Sequence, residues 1–158
     1  MKYTACLPSP LGWLHITASD LGVERIDMKD EGTAHQADHF IIHECVRQLN
    51  EYFDGTRENF TVPIHLQGTH FQLNVWEELM KIPFAKTYCY EDIARRLGDV
   101  KVIRAAATAN GRNPVPIIVP CHRVIGKNGT LTGYSGGLHR KKWLLDFELR
   151  LIAPELIK

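Results

Sequence analysis

The stretch Ile117-Ile118-Val119-Pro120-Cys121-His122-Arg123-Val124-Ile125-Gly126 is the part of the chain best equipped for chemistry. An apolar, β-branched run leads into a proline, then a cysteine followed by a histidine and an arginine. The apolar flanks predict burial, and a buried thiol is ordinarily inert because a low dielectric disfavours the thiolate. Activation needs a base or a positive neighbour, and His122 and Arg123 offer either. Adjacent side chains on an extended strand point to opposite faces, so adjacency alone does not dictate Cys121–His122 contact. Taken by itself, such a pair more often marks a structural thiol than a nucleophile. The remaining cysteines (Cys6, Cys45, Cys89) show no paired spacing and read as reduced thiols, not a disulfide frame. No C-x-x-C pairing is present, so no metal site is expected.

Positioning these groups falls to two differently patterned halves. Residues 13–17 and 23–28 alternate partially around Ser19-Asp20-Leu21-Gly22, which predicts a hairpin. Over residues 39–53, Phe40, Val46, Leu49, Tyr52 and Phe53 recur at roughly helical spacing until Asp54-Gly55 stops them. Residues 60–64 read as extended, and Gln67-Gly68-Thr69 is the expected boundary between domains 1–67 and 68–158. Beyond it the pattern turns helical: Phe71, Val75, Leu79 and Met80 share a face with Trp76 beside them, and Pro83 ends the run. Residues 91–97 and 101–109 flank Gly98-Asp99 and predict a helix-turn-helix. Its second helix presents Ala105-Ala106-Ala107-Thr108-Ala109. Small residues allow close approach to a minor groove, which is about 6 Å wide, although alanine also simply favours helix.

Bulk properties agree with a globular protein of 158 residues, 44% hydrophobic and 23% charged. The longest apolar runs fall far short of the roughly 20 residues that span a bilayer, and no apolar run follows Met1-Lys2-Tyr3-Thr4 to suggest a signal peptide. The net charge of +1 conceals an asymmetry: residues 1–68 carry −5 and residues 69–158 carry +6. A basic second half suits a polyanionic partner.

Three segments taken together are specific. Ala109-Asn110-Gly111-Arg112-Asn113-Pro114-Val115-Pro116, Pro120-Cys121-His122-Arg123 and Gly129-Thr130-Leu131-Thr132-Gly133-Tyr134-Ser135-Gly136-Gly137-Leu138 closely resemble the O6-alkylguanine-DNA alkyltransferase family. The resemblance runs from Phe71-Gln72 through Trp76, Ile82-Pro83, Tyr90 and Arg104 to Leu144-Leu145 and Glu148, and Ser9-Pro10-Leu11-Gly12 looks like the start of the family's first domain. It implies an α+β fold, with a small N-terminal α/β (ribonuclease H-like) domain and a mainly helical C-terminal domain holding a winged-helix-like helix-turn-helix.

The resemblance also implies roles. Cys121 would be the nucleophile that takes the alkyl group from O6-alkylguanine, irreversibly and once. His122 would be its base through a water molecule, Glu148 would orient His122, and Tyr90 would protonate the departing guanine. Arg104 would fill the gap left by the flipped nucleotide, with Ala105, Thr108, Ala109, Asn110 and Arg123 also at the DNA. Asn113, Val124, Tyr134, Ser135, Gly136 and Lys141 would line or support the pocket. The expected partner is double-stranded DNA containing O6-alkylguanine, with O4-alkylthymine as a second substrate. No cofactor, metal or membrane is expected, and the protein should be a cytoplasmic monomer. Ala85, Val100 and Ala106-Ala107 depart from the family pattern of glycine, proline and Val-Gly, the last making the DNA face bulkier. The competing readings are a non-catalytic alkyltransferase-like sensor, a helix-turn-helix regulator and a thiol hydrolase. The first lacks cysteine at the nucleophile position, the second leaves Tyr90 and the Cys-His-Glu set without purpose, and the third needs an oxyanion hole.

Overall fold

Alternation along β2 (Gly12–Ser19) buries Leu14, Ile16 and Ala18 and turns the intervening side chains outward. In the computed structural model, which describes residues 1–156, β2 pairs antiparallel with both β1 (Tyr3–Ser9) and β3 (Gly22–Lys29). The two-residue strand β4 (His35–Gln36) completes a sheet of order β3-β2-β1-β4. The hairpin expected at residues 19–22 is the β2–β3 turn. Strand β1 was not foreshadowed, because Ala5, Cys6 and Leu7 are buried in succession and show no alternation.

Helix α1 (Phe40–Phe53) caps its first turn with His39, whose Nδ1 accepts from the Ile41 amide. Its buried stripe is Ile41, Ile42, Cys45, Gln48, Leu49 and Tyr52. That stripe starts one residue later than the spacing of Phe40 and Val46 suggested, leaving Phe40 64% exposed at the helix start. Gln48 is fully buried because its amide serves the extended segment that follows: Oε1 accepts from Thr61 N and Val62 N, and Nε2 donates to Thr61 Oγ1. Residues 63–65 then lie along β3, with hydrogen bonds from Val23 N to Pro63 O and from His65 N to Val23 O.

Contacts divide the chain between Gln67 and Gly68. The second unit opens on α2 (His70–Leu79), fixed by a Thr69/Gln72 capping box. It ends at Leu79, ahead of Pro83, and Met80 is exposed. Two helices follow, α3 (Tyr90–Arg96) and α4 (Ile103–Gly111), joined through Gly98 at φ +93° and a 3-10 turn at Val100–Val102. Val100 therefore begins a 3-10 turn, with the Asp99 side chain accepting from Lys101 N. Trp76, buried, donates its indole N–H to Ala109 O at 2.8 Å and ties α2 to α4. Short parallel strands β5 (Tyr88–Cys89) and β6 (Val124–Ile125) meet beside this pair, and α5 (Leu138–Ile152) closes the unit. The architecture is a mixed α+β one, a sheet-and-helix unit followed by a mainly helical unit.

Candidate active site

The cysteine segment is not the strand its apolar run predicts. Pro114, Pro116 and Pro120 each remove a backbone donor, and Ile117 takes φ +75°, so no ladder can form there. The chain folds through an isolated Pro116–Val119 bridge into a 3-10 turn at Cys121–Arg123. Asn113, buried after the end of α4, holds this bend: Nδ2 donates to Val119 O at 2.8 Å and Oδ1 accepts from Val115 N at 3.0 Å. On a tight turn, successive side chains leave at angles unlike those of a strand, and Cys121, His122 and Arg123 are all buried.

Their polar ends converge on α5. His122 Nε2 lies 2.7 Å from Glu148 Oε2. Arg123 grips the same carboxylate with a two-pronged fork, Nε to Oε1 and Nη2 to Oε2, both at 2.9 Å. Its third nitrogen donates to Ile82 O at 2.8 Å. The Ala85 amide also donates to Glu148 Oε1 at 3.1 Å, from a residue in the left-handed region at φ +63°. A side chain rarely adopts this conformation, which glycine takes without penalty.

Burial alone would raise the Glu148 carboxyl, but hydrogen bonds and charge from His122 and Arg123 hold it well below the usual carboxylate range. Burial likewise lowers His122, against the pull of Glu148. The pair is thus an anionic carboxylate and a neutral imidazole, with the ring proton on Nε2 facing Glu148. That leaves a lone pair on Nδ1, for which no hydrogen-bond partner exists among the described residues. Burial pushes the Cys121 thiol up to about 11, although the Asn113 side chain and the Lys141 charge oppose the rise.

Lys141 is buried on α5 and donates to Val124 O at 2.6 Å and Thr132 O at 2.7 Å. Burial brings it down to about 8. Tyr90, the first residue of α3, donates to Thr132 O at 3.1 Å, and the Lys141 ammonium lies 5.9 Å from its ring centre. Thr132 and Gly133 are thereby held between α3 and α5. Val124 and Tyr134 are buried nearby in sequence, Ser135 is exposed, and Gly136 accepts from Arg140.

Several expected DNA-facing residues are elsewhere. Ala109 and Asn110 are buried, because their side of α4 packs against α2 and the cysteine turn. Arg123 is buried by its ion pair with Glu148. Ala106 also turns inward and Ala107 is half-buried, so the exposed face of α4 consists of Arg104, Ala105 and Thr108. Sequence reasoning missed that Arg123 shares Glu148 with His122, yet an arginine inside an apolar run signals a buried acid partner.

Histidines 35, 39 and 43 recur every fourth residue, a spacing that suits metal ligands. Their rings instead go to separate partners, Thr4 and Thr33, Asp20, and Asp38. Among the described residues no group of three His, Cys, Asp or Glu side chains is placed to hold a metal.

A buried thiol on a tight turn, backed by a His-Glu-Arg set and following a helix-turn-helix, is an arrangement that suits thiol chemistry next to a candidate nucleic-acid face. The comparisons give the family. The 6-O-methylguanine DNA methyltransferase, DNA binding domain, matches residues 70–150, and the ribonuclease-like domain of the same family matches residues 1–66. The chain belongs to this family. It is 41% identical over 152 residues to the methylated-DNA--protein-cysteine methyltransferase of Methanosarcina acetivorans, covering 92% of this chain and 97% of the relative. It is 52% identical over 103 residues to the inducible enzyme of that name from Bacillus subtilis, covering 65% of this chain but only 58% of the relative. A solved structure of Mycobacterium tuberculosis OGT in complex with DNA superposes with a TM-score of 0.84 at 40% identity, covering 92% of each chain.

Proposed function

We propose that this chain is a single-turnover DNA repair methyltransferase, which moves the alkyl group of O6-alkylguanine in double-stranded DNA onto Cys121. The observation that carries the reading is the buried Cys121 turn with the neutral His122 and its bidentate Glu148–Arg123 support. The second unit carries DNA recognition and chemistry, and the first is a structural domain. Arg104, Ala105 and Thr108 form the exposed face that enters the minor groove, with Arg104 occupying the space of the extruded nucleotide.

Once the base is flipped, Cys121 Sγ attacks the alkyl carbon. The S–C bond forms as the C–O6 bond breaks, and guanine departs. The thiol proton passes through a water to His122 Nδ1, the lone pair left open by the Nε2–Glu148 bond. Tyr90 gives its phenolic proton to guanine, which avoids an anionic leaving group, and regains one from the imidazolium. Atoms and charge balance, with thiol and O6-alkylguanine becoming thioether and guanine. Lys141 fixes the Val124 and Thr132 carbonyls on two sides of the site, and Tyr134, Ser135 and Gly136 belong to the loop that closes over the base. A thioether has no route back to the thiol, so each molecule acts once.

No described helix is long and apolar enough to cross a membrane, and the protein is proposed to act as a cytoplasmic monomer without cofactor. Intact-protein mass after incubation with an O6-methylguanine duplex tests the reading. A stoichiometric gain of one methylene, absent in Cys121→Ala, is expected. Tight damage-specific binding with no mass gain would point to a sensor, and repaired guanine with no mass gain would exclude a suicide mechanism.

A further inference from the structure

Helix α3 carries an acid four residues ahead of an arginine twice on its outer side, Glu91 before Arg95 and Asp92 before Arg96. The first pair is closed, with Arg95 Nη2 donating to Glu91 Oε1 at 2.9 Å. The second is open. Asp92 Oδ2 accepts from the Cys89 amide at 2.8 Å, and that bond holds the carboxyl below its ordinary range and anionic. Arg96 turns to Tyr88 on β5, its guanidinium 4.6 Å from the ring centre and its Nη2 donating to the phenol oxygen at 3.1 Å. It has no carboxylate partner among the described residues. Between the separated groups lies an open cleft of about 420 Å³, lined by Tyr88, Asp92, Arg95 and Arg96.

The cleft is turned away from the cysteine site. At 3.6 residues per turn, Tyr90, Ile93, Ala94 and Leu97 fall on the opposite side of α3 from residues 91, 92, 95 and 96. Ile93 and Ala94 are buried there, on the side through which α3 packs on α4. What the outer side offers is a pair of exposed arginines, an anionic acceptor and an aromatic ring in one recess. The arginines suit a phosphate. Asp92 repels a simple anion and calls for a ligand that also carries an N–H or O–H. A ring with a guanidinium stacked on it suits a planar base. The volume lies within the roughly 300–1,000 Å³ of small-molecule sites.

We propose that the α3 cleft is a nucleotide-binding site separate from the Cys121 centre. Arg95 and Arg96 take the phosphate, the Tyr88–Arg96 stack takes the base, and Asp92 accepts from a base N–H or a sugar hydroxyl. A free nucleotide and a nucleotide within a single strand share that chemistry.

Amide NMR spectra recorded during titration with deoxyadenosine 5′-monophosphate test the site, with inorganic phosphate and deoxyadenosine as controls. Saturable shifts centred on Tyr88, Asp92, Arg95 and Arg96 are expected, with each control binding at least about 5-fold more weakly. Arg96→Gln, an exposed change, should weaken nucleotide binding by about 5-fold or more, and Tyr88→Leu should do the same where it folds. Methyl transfer to Cys121 from an O6-methylguanine duplex should be unchanged in Arg96→Gln. A deoxyadenosine tetranucleotide that binds no tighter than the monomer assigns the site to free nucleotides. Tighter binding that Arg96→Gln abolishes assigns it to single strands. Absence of saturable shifts at these residues, nucleotide affinity unchanged by Arg96→Gln, or a parallel loss of methyl transfer overturns the proposal.

Discussion

At the scale of single residues, Glu148 organises the site by serving two neighbours in sequence that would diverge on a strand. It orients His122 and neutralises Arg123, both of them buried. Removing its charge should therefore cost more than one hydrogen bond. In Glu148→Gln a buried guanidinium loses its counter-ion, which costs about 3–5 kcal/mol. The pH dependence follows from the two shifts. His122 sits below its ordinary 6.5 in the native state, so falling pH protonates the unfolded chain first and stability drops below that value. Glu148 lies well below its ordinary 4.5, so its contribution is full above 4.5 and is lost as pH falls toward the native value. Both tilt the same way. Urea midpoints from about pH 7 down to about pH 4 should fall for wild type, and the loss below 4.5 should flatten in Glu148→Gln. A variant that keeps wild-type acid sensitivity would show that Glu148 is not the group involved.

At the scale of elements, what the sequence disclosed followed from periodicity. The helix-turn-helix and the hairpin were legible because each rests on neighbours within a few residues. The bend at residues 114–120 was not, since a positive φ at Ile117 contradicts the preference of a β-branched residue and is imposed by the surrounding packing. Nor was the acid that Arg123 pairs with, which lies 25 residues further on. The same limit applies to α4. Alanine runs mark a helix, but only the Trp76–Ala109 and Asn110–Cys121 bonds reveal which side faces inward. What remains outside is Arg104, Ala105 and Thr108, and Arg104→Ala tests that face. Transfer from duplex DNA should slow by about 10- to 100-fold, whereas transfer from a single strand, where extrusion costs little, should change much less. Equal losses on both substrates would argue that Arg104 binds phosphate and does not support the extruded state.

For the molecule as a whole, the four thiols occupy unlike settings. Cys45 lies in the first unit's core and is pushed by burial up to about 12, Cys6 is buried on β1, and Cys89 is half-exposed at the start of α3. Cys121, the proposed nucleophile, is among the best hidden. Under limiting iodoacetamide at neutral pH, peptide mapping should find label on Cys89 well before Cys121, because alkylation requires the thiolate and access. Prompt labelling of Cys121 would mean that the turn opens readily without DNA.

That the proposed nucleophile is held as a neutral thiol at about 11 also has a bearing on storage. A molecule able to act only once is lost if any passing electrophile consumes it. On that reading selectivity is kept by reluctance: the buried sulfur stays dormant toward small alkylators and oxidants in solution, and a lesion delivered on a flipped nucleotide brings the alkyl carbon into the geometry that attack requires. Waiting, for such a protein, is part of the work.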